Sequence, residues 1–248
     1  MFHIQPDKKL ELIALFCEFT SASAFSSEAQ THVDLLDRRQ AEARESFHEI
    51  DSAADQGQDV TERVLLMMVP QTGLDAHSIK ETWVFFALGC KQKDGVPHPN
   101  QNPAELVNVI LHFLRFCNEQ PENLAFACAE VAKTPYQKDL HAGVLSPVLN
   151  ALRPCDFLPI TSNSLRFINY FSDKSWSLNL ADYPAVNAAG RGLVEELDEE
   201  IRRNESWEMR KVDVFLTFLN WLIVKKKYGL NARFLLHPEM YKNWPPMW

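Results

Sequence analysis

Between Leu140 and Phe171 the chain reads LHAGVLSPVLNALRPCDFLPITSNSLRFINYF, two apolar helical patterns joined by a proline-bracketed corner. Leu140, Val144, Leu145, Val148, Leu149 and Leu152 recur at helical spacing, so this segment has one wide apolar face that needs a core to cover it. The helix cannot pass Arg153: Pro154 has no amide proton to donate and pushes its predecessor out of the α region. Pro159 stiffens the corner, and Ser162 or Asn163 is placed to cap a second helix with Leu165, Ile168 and Phe171 on its apolar side and Phe167 beside them. This pattern constrains architecture and carries no chemistry of its own.

Helical spacing dominates the rest of the chain. Residues 7–19 place Leu10, Ile13, Ala14 and Cys17 on a broad apolar surface. A charge-laced segment from Ser26 or Ser27 to Asp55 carries Val33, Leu36, Ala43, Phe47 and Ile50 near a seven-residue repeat, as expected of a long helix with one packed stripe. Phe47 and Ile50 on that stripe are candidates for self-association. Gln56-Gly57-Gln58 should break the helix, with Asp59 or Thr61 capping a shorter one that Pro70 closes. The run TWVFFAL at 82–88 fits a short strand or a buried helical turn, and periodicity does not choose between them. KQKDGVPHPNQNP, from Lys91 to Pro103, reads as a boundary, with three prolines and a glycine in a polar stretch.

Beyond it, helices are expected from Pro103 through Cys117 and from Leu124 through Val131. After the corner comes a loop anchored by Trp176 and Tyr183, then a helix marked by Leu193, Leu197 and Ile201. A last, strongly apolar helix from about Trp207 to Tyr228 ends in Lys225, Lys226 and Lys227 before Gly229. Cations in a last turn followed by glycine suit a helix C-terminus. Strand signals are sparse, and no Asn-Gly or Asp-Gly turn lies between two alternating runs. The expectation is therefore an all-α multi-helix bundle, with an N-terminal helical region over 1–92, a linker over 93–102, a C-terminal helical domain over 103–235 and a tail over 236–248. A long N-terminal helical hairpin packed on the C-terminal domain is one form it can take.

Net charge is −8, unevenly placed. Through Asn100 nine lysines and arginines face sixteen acids, whereas the remainder is nearly balanced, sixteen against seventeen. An anionic partner should meet the C-terminal part. The five cysteines, Cys17, Cys90, Cys117, Cys128 and Cys155, are widely spaced without a C-x-x-C pair and read as small buried hydrophobes of a reducing compartment. No apolar run approaches the roughly 20 residues a membrane span requires, so a cytoplasmic protein without membrane contact is expected.

The motif search removes most reactions. No G-x-x-x-x-G-K-[ST] string is present to wrap a phosphate in backbone amides, nor G-x-G-x-x-G, G-x-S-x-G or H-E-x-x-H. The eight histidines show no i, i+3 or i, i+4 pair around a carboxylate, which leaves His112 and His141 as packing residues rather than metal ligands. Cys155 lacks the local context of a nucleophile. No catalytic residue, metal site or cofactor is assigned, and a non-enzymatic role is favoured.

The remaining candidates are basic residues interleaved with aromatics: Arg153, Arg166, Lys174, Arg191, Arg202, Arg203, Arg210, Lys211 and Lys225 to Lys227, with Tyr170, Trp176 and Tyr183 among them. Such a set either contacts phosphates and stacks on bases or forms a solvated surface paired with the acidic run Glu195 to Glu200. SPVLNALRPCDFLPITSNSLRFINYF, LADYPAVNAAGRGLVEEL and VDVFLTFLNWLIVKKK together resemble the helical N-terminal region of McrB-related AAA+ proteins, the nucleotide-driven subunits of modification-dependent restriction systems, over about residues 103–230. The corner is also similar to those of helix-hairpin-helix glycosylases, but no L-x-G-x-G hairpin or catalytic Lys/Asp pair follows, so that chemistry is not carried over. The McrB-like resemblance implies a sensing module placed before a motor, with Asn163, Ser164, Arg166, Asn169, Asn187 and Arg191 as surface candidates. The expectation is a recognition module of a bacterial defence system that binds nucleic acid or a protein partner through its C-terminal helical face, using Asn163, Arg166, Asn169, Tyr170, Arg191 and Lys225 to Lys227. The alternative is an assembly protein self-associating through Phe47 and Ile50, a homo-oligomer.

Overall fold

A computed structural model describes residues 4–21, 25–68, 103–138, 140–203 and 210–224. Among them the chain is all-α: α1 (Pro6–Ser21), α2 (Phe25–Asp55), α3 (Thr61–Met67), α4 (Pro103–Glu119), a 3-10 turn (Pro121–Asn123), α5 (Leu124–Val131), α6 (Ala142–Leu152), α7 (Ser162–Ser172), α8 (Tyr183–Glu196), α9 (Asp198–Arg203) and α10 (Lys211–Val224). The expected boundary at 93–102, the aromatic run at 82–88 and Lys225 to Lys227 lie outside the described residues.

The helix ends follow local chemistry. α2 stops where Gly57 takes φ +73, a left-handed conformation that costs glycine little. There the Gln58 amide donates to the Ala53 carbonyl at 3.0 Å and the Gly57 amide to that of Ala54 at 2.9 Å, so the orphan carbonyls of the last turn are satisfied. The Asp59 carboxylate then accepts the Thr61 amide at 2.9 Å, and this bond holds its pKa below the ordinary value. α7 ends the same way with a non-glycine residue: Asp173 has φ 51, and the Lys174 amide donates to the Asn169 carbonyl at 3.1 Å.

The residues cluster into two compact units that interleave along the chain. Residues 1–34, 162–176 and 188–248 form one, and 35–161 with 177–187 form the other. The division falls inside α2 and inside α8, so packing, not sequence order, sorts the helices.

In the first unit α1 packs on α7, α9 and α10. Its core is aromatic. Phe16 meets Phe218 edge-on at 5.3 Å between centroids, Phe167 meets Phe218 at 5.9 Å, and Phe167 lies 4.6 Å from Phe171. Contacts of this kind contribute about 0.5–1.5 kcal/mol each beyond area burial. The helix expected around Leu193 to Ile201 is two: α8 starts ten residues earlier, at Tyr183 ahead of Pro184, and the chain breaks at buried Leu197 before α9.

In the second unit α4 is central, packing on α3, α5 and α6. Ile110, Leu114 and Cys117 of α4 and Leu145 and Leu149 of α6 are fully buried. Phe47 and Ile50 of α2 belong to this core as well. They keep 6% and 1% of their exposure, which corrects their assignment as a self-association seam: a side chain already enclosed by its own chain has no area left for a second copy.

Candidate functional site

The corner from Arg153 to Ile160 is non-helical, yet Phe157, Leu158 and Ile160 are almost wholly buried in it. Buried backbone outside a helix has no ladder of its own, so its amides and carbonyls need other partners. The Asp156 and Phe157 amides both donate to the Arg153 carbonyl, at 3.0 and 3.1 Å, and side chains serve others. Asn187 supplies two bonds: its Oδ1 accepts the Leu158 amide at 2.8 Å and its Nδ2 donates to the Asp156 carbonyl at 2.9 Å. Asn150 donates to the Phe157 carbonyl at 2.8 Å, Ser146 Oγ accepts the Ile160 amide at 2.6 Å, and the Tyr183 hydroxyl donates to the Leu158 carbonyl at 3.3 Å.

These contacts correct the surface role that the resemblance implied for Asn187, 6% exposed, and burial alone, at 5% exposure, corrects that of Ser164. Asn169 is corrected likewise. At 5% exposure it clamps the loop after α7, donating to the Trp176 carbonyl at 2.8 Å and accepting the Trp176 amide at 3.1 Å. Short amides suit corners because one side chain answers both a donor and an acceptor of the main chain.

The basic and aromatic candidates are mostly engaged. Tyr170 donates its hydroxyl to Glu11 at 2.7 Å, its carbonyl accepts from Lys8 at 2.7 Å, and the Lys8 ammonium sits 4.8 Å from the ring centroid. Neither its hydroxyl nor that ring face is available to a base. Arg202 pairs with Asp198 at 2.5 Å, Arg203 with Glu200 at 2.7 Å, Arg210 with buried Asp213 at 2.6 Å, and Lys211 with Asp198. The two cations hold the Asp198 pKa below the ordinary value, the Lys211 hydrogen bond being the larger cause. The paired, solvated arrangement is thus the one the structure adopts around the acidic run. Asn163 and Arg166 are half-buried on α7, and Arg191 is exposed on α8.

Among the described residues no group of three or more His, Cys, Asp and Glu side chains is arranged to hold a metal. No described helix is long and apolar enough to cross a membrane. The cysteines divide. Cys17 and Cys155 are exposed, against the expectation of burial, while Cys117 and Cys128 are enclosed between α4 and α5 and burial pushes both thiols up to about 12. Such thiols are not nucleophiles near neutral pH. Tyr183 is raised well above its ordinary value, first by burial and then by these two thiols.

The opposite side of the α4–α5 hairpin is open. A groove of about 480 Å³ lies against the two helices, lined by Glu105, Asn108, Val109, His112, Phe113 and Phe116 of α4, by Phe126, Ala127, Glu130 and Val131 of α5, and by Thr134. Phe126 is 58% exposed and packs on Phe116 at 5.6 Å between centroids. Sequence reasoning took α4 and α5 as core helices and passed over this face. The available signal was Phe116 and Phe126, which lie off the stripe of Leu106, Ile110, Phe113, Leu114 and Cys117 and have no core position left to fill.

The class this fold and face define is an all-α protein with an apolar interhelical groove. Compared with family models, curated proteins and solved structures, the chain finds no match.

Proposed function

We propose that this chain is a non-catalytic recognition module that binds a protein partner through the α4–α5 groove. The observation that supports it is Phe126, a large aromatic side chain held 58% exposed on the rim of an apolar groove, where solvent contact is costly and a partner's apolar side chain would relieve it. The nucleic-acid half of the expectation draws less support, because Arg202, Arg203, Arg210 and Lys211 are engaged by carboxylates of their own chain. The pattern shared with McrB-related N-terminal regions favours a setting beside a nucleotide-driven motor in a bacterial defence system.

The test uses a photo-crosslinking amino acid at position 126 in the full chain, expressed in its source cells. The expected result is one dominant protein adduct, absent when the crosslinker stands at exposed Glu62 of α3, and a complex that Phe126→Asp no longer co-purifies. Equal adducts from both positions would sink the reading. Mobility-shift titrations with duplex and single-stranded DNA at low salt, unaffected by Arg191→Ala, are the accompanying expectation.

A further inference from the structure

α1 is apolar on two sides. Leu12, Phe16 and Phe19, at i, i+4 and i+7, are buried against the rest of the first unit, whereas Leu10, Ile13, Ala14 and Cys17, at i, i+3, i+4 and i+7, form a row on the reverse face. Leu10 is 69% exposed, Ala14 and Cys17 are exposed, and Ile13 is half-buried. Among the described residues, Leu10 and Phe126 are the two large apolar side chains left in solvent. A second apolar row on one helix calls for a second cover.

The last described helix ends beside this one. Trp221, one turn before Val224, packs on Phe19 in the last turn of α1, at 5.6 Å between centroids. Twenty-four residues follow Val224, outside the described structure, with five lysines and arginines against one glutamate, whereas the 224 residues before them carry 20 against 32. A segment of net charge +4 thus follows a body of −12. Asp7 and Glu18, exposed on one side of the α1 row, give that row an acidic edge. Beyond Gly229 the segment becomes apolar, with Leu230, Phe234, Leu235, Leu236 and Met240. Ten residues of extended chain, from Val224 to Phe234, reach about 33 Å, more than the roughly 14 Å of helix from Phe19 back to Leu10.

We infer that the open row of α1 is a docking face for this chain's own residues 230–242. Phe234 to Leu236 pack against Leu10 and Ile13, with Arg233 and Lys242 beside the acidic edge. Cys17, at the near end of the row, stays open to solvent. A second copy would bring the same acidic edge to the contact, so the oppositely charged segment is the better match.

A photo-crosslinking amino acid replaces Leu10 in the full chain, and its adducts are mapped by peptide mass. The expected product has the mass of one chain and joins position 10 to residues 230–242, at a yield at least tenfold above that from the same amino acid at exposed Arg191. Phe234→Asp should abolish it. Limited chymotrypsin digestion reads the same contact without a crosslinker: Leu10→Asp, with an unchanged circular dichroism spectrum, should speed cleavage after Phe234 at least tenfold. Adducts between two chains, adducts to residues 69–102, no adduct, equal yields from the two positions or equal cleavage rates would each overturn the inference.

Discussion

The corner at 153–160 and the α4–α5 groove belong to the same unit and are both rich in side chains that a sequence reader would offer to a ligand, yet they spend those side chains differently. At the corner Asn150, Asn187, Ser146 and Tyr183 turn their polar atoms inward and satisfy main-chain groups. In the groove, among the described residues, apolar side chains line an open face, and Phe126 stays more than half exposed. Residue type does not separate a staple from a recognition surface. The deciding quantity is whether the unit's own backbone and core have already used the group.

That contrast can be broken from its sealed side first. Phe47→Asp or Ile50→Asp places a carboxylate in a closed core and should cost more than about 4 kcal/mol, read as loss of the folded baseline in urea. A variant that stays folded and shifts only a dimer in sedimentation would return these residues to a surface. Next in size, Asn187→Ala leaves the Leu158 amide and the Asp156 carbonyl without partners and should destabilise by about 2–4 kcal/mol in the same titration, with Asn169→Ala close behind.

The back of the hairpin gives a pH test. Cys117 and Cys128 ionise in the unfolded chain near the ordinary value of 9.0 and in the folded protein at about 12, so the folded state holds protons that the unfolded state releases. Their contribution is intact below pH 9 and is lost as pH rises toward 12, at about 1.4 kcal/mol per pH unit for each thiol. Replacing either by alanine should flatten that slope. In a Cys90→Ser background, Cys17 and Cys155 should react with a thiol reagent in the folded protein, and Cys117 and Cys128 only in denaturant. The smallest effect belongs to the open side: Phe126→Ser removes one ring contact, with Phe116, and should change stability by no more than about 1.5 kcal/mol. A loss near that of Asn187→Ala would show that the phenyl ring is structural and end the distinction between the two regions.

Much of the helix inventory is readable from spacing alone, because a 3.6-residue apolar period has few other uses. The stop at Gly57, the helix from Pro103 and the two helices flanking Pro154 and Pro159 are of this kind. The start of α8 is less legible: NAAGRG carries small residues and two glycines that depress helix propensity, and only packing makes it helical. The candidate site was hardly legible. Asn169 and Tyr170 look like surface polar groups in one dimension. Their partners, Trp176 for the first and Lys8 and Glu11 for the second, become neighbours only through the turn after α7 and the packing of α1 on α7.

By itself the sequence determined that this protein is helical, where most of its helices begin and end, and which faces need covering, since backbone geometry, proline and glycine act locally. Tertiary structure alone decided which apolar faces were covered, which asparagines became backbone staples, and that the helices sort into two interleaved units. Those outcomes depend on contacts between residues distant in the chain, and every core position that one side chain fills is closed to another. On α5, Leu124 and Cys128 hold buried places while Phe126 is left exposed.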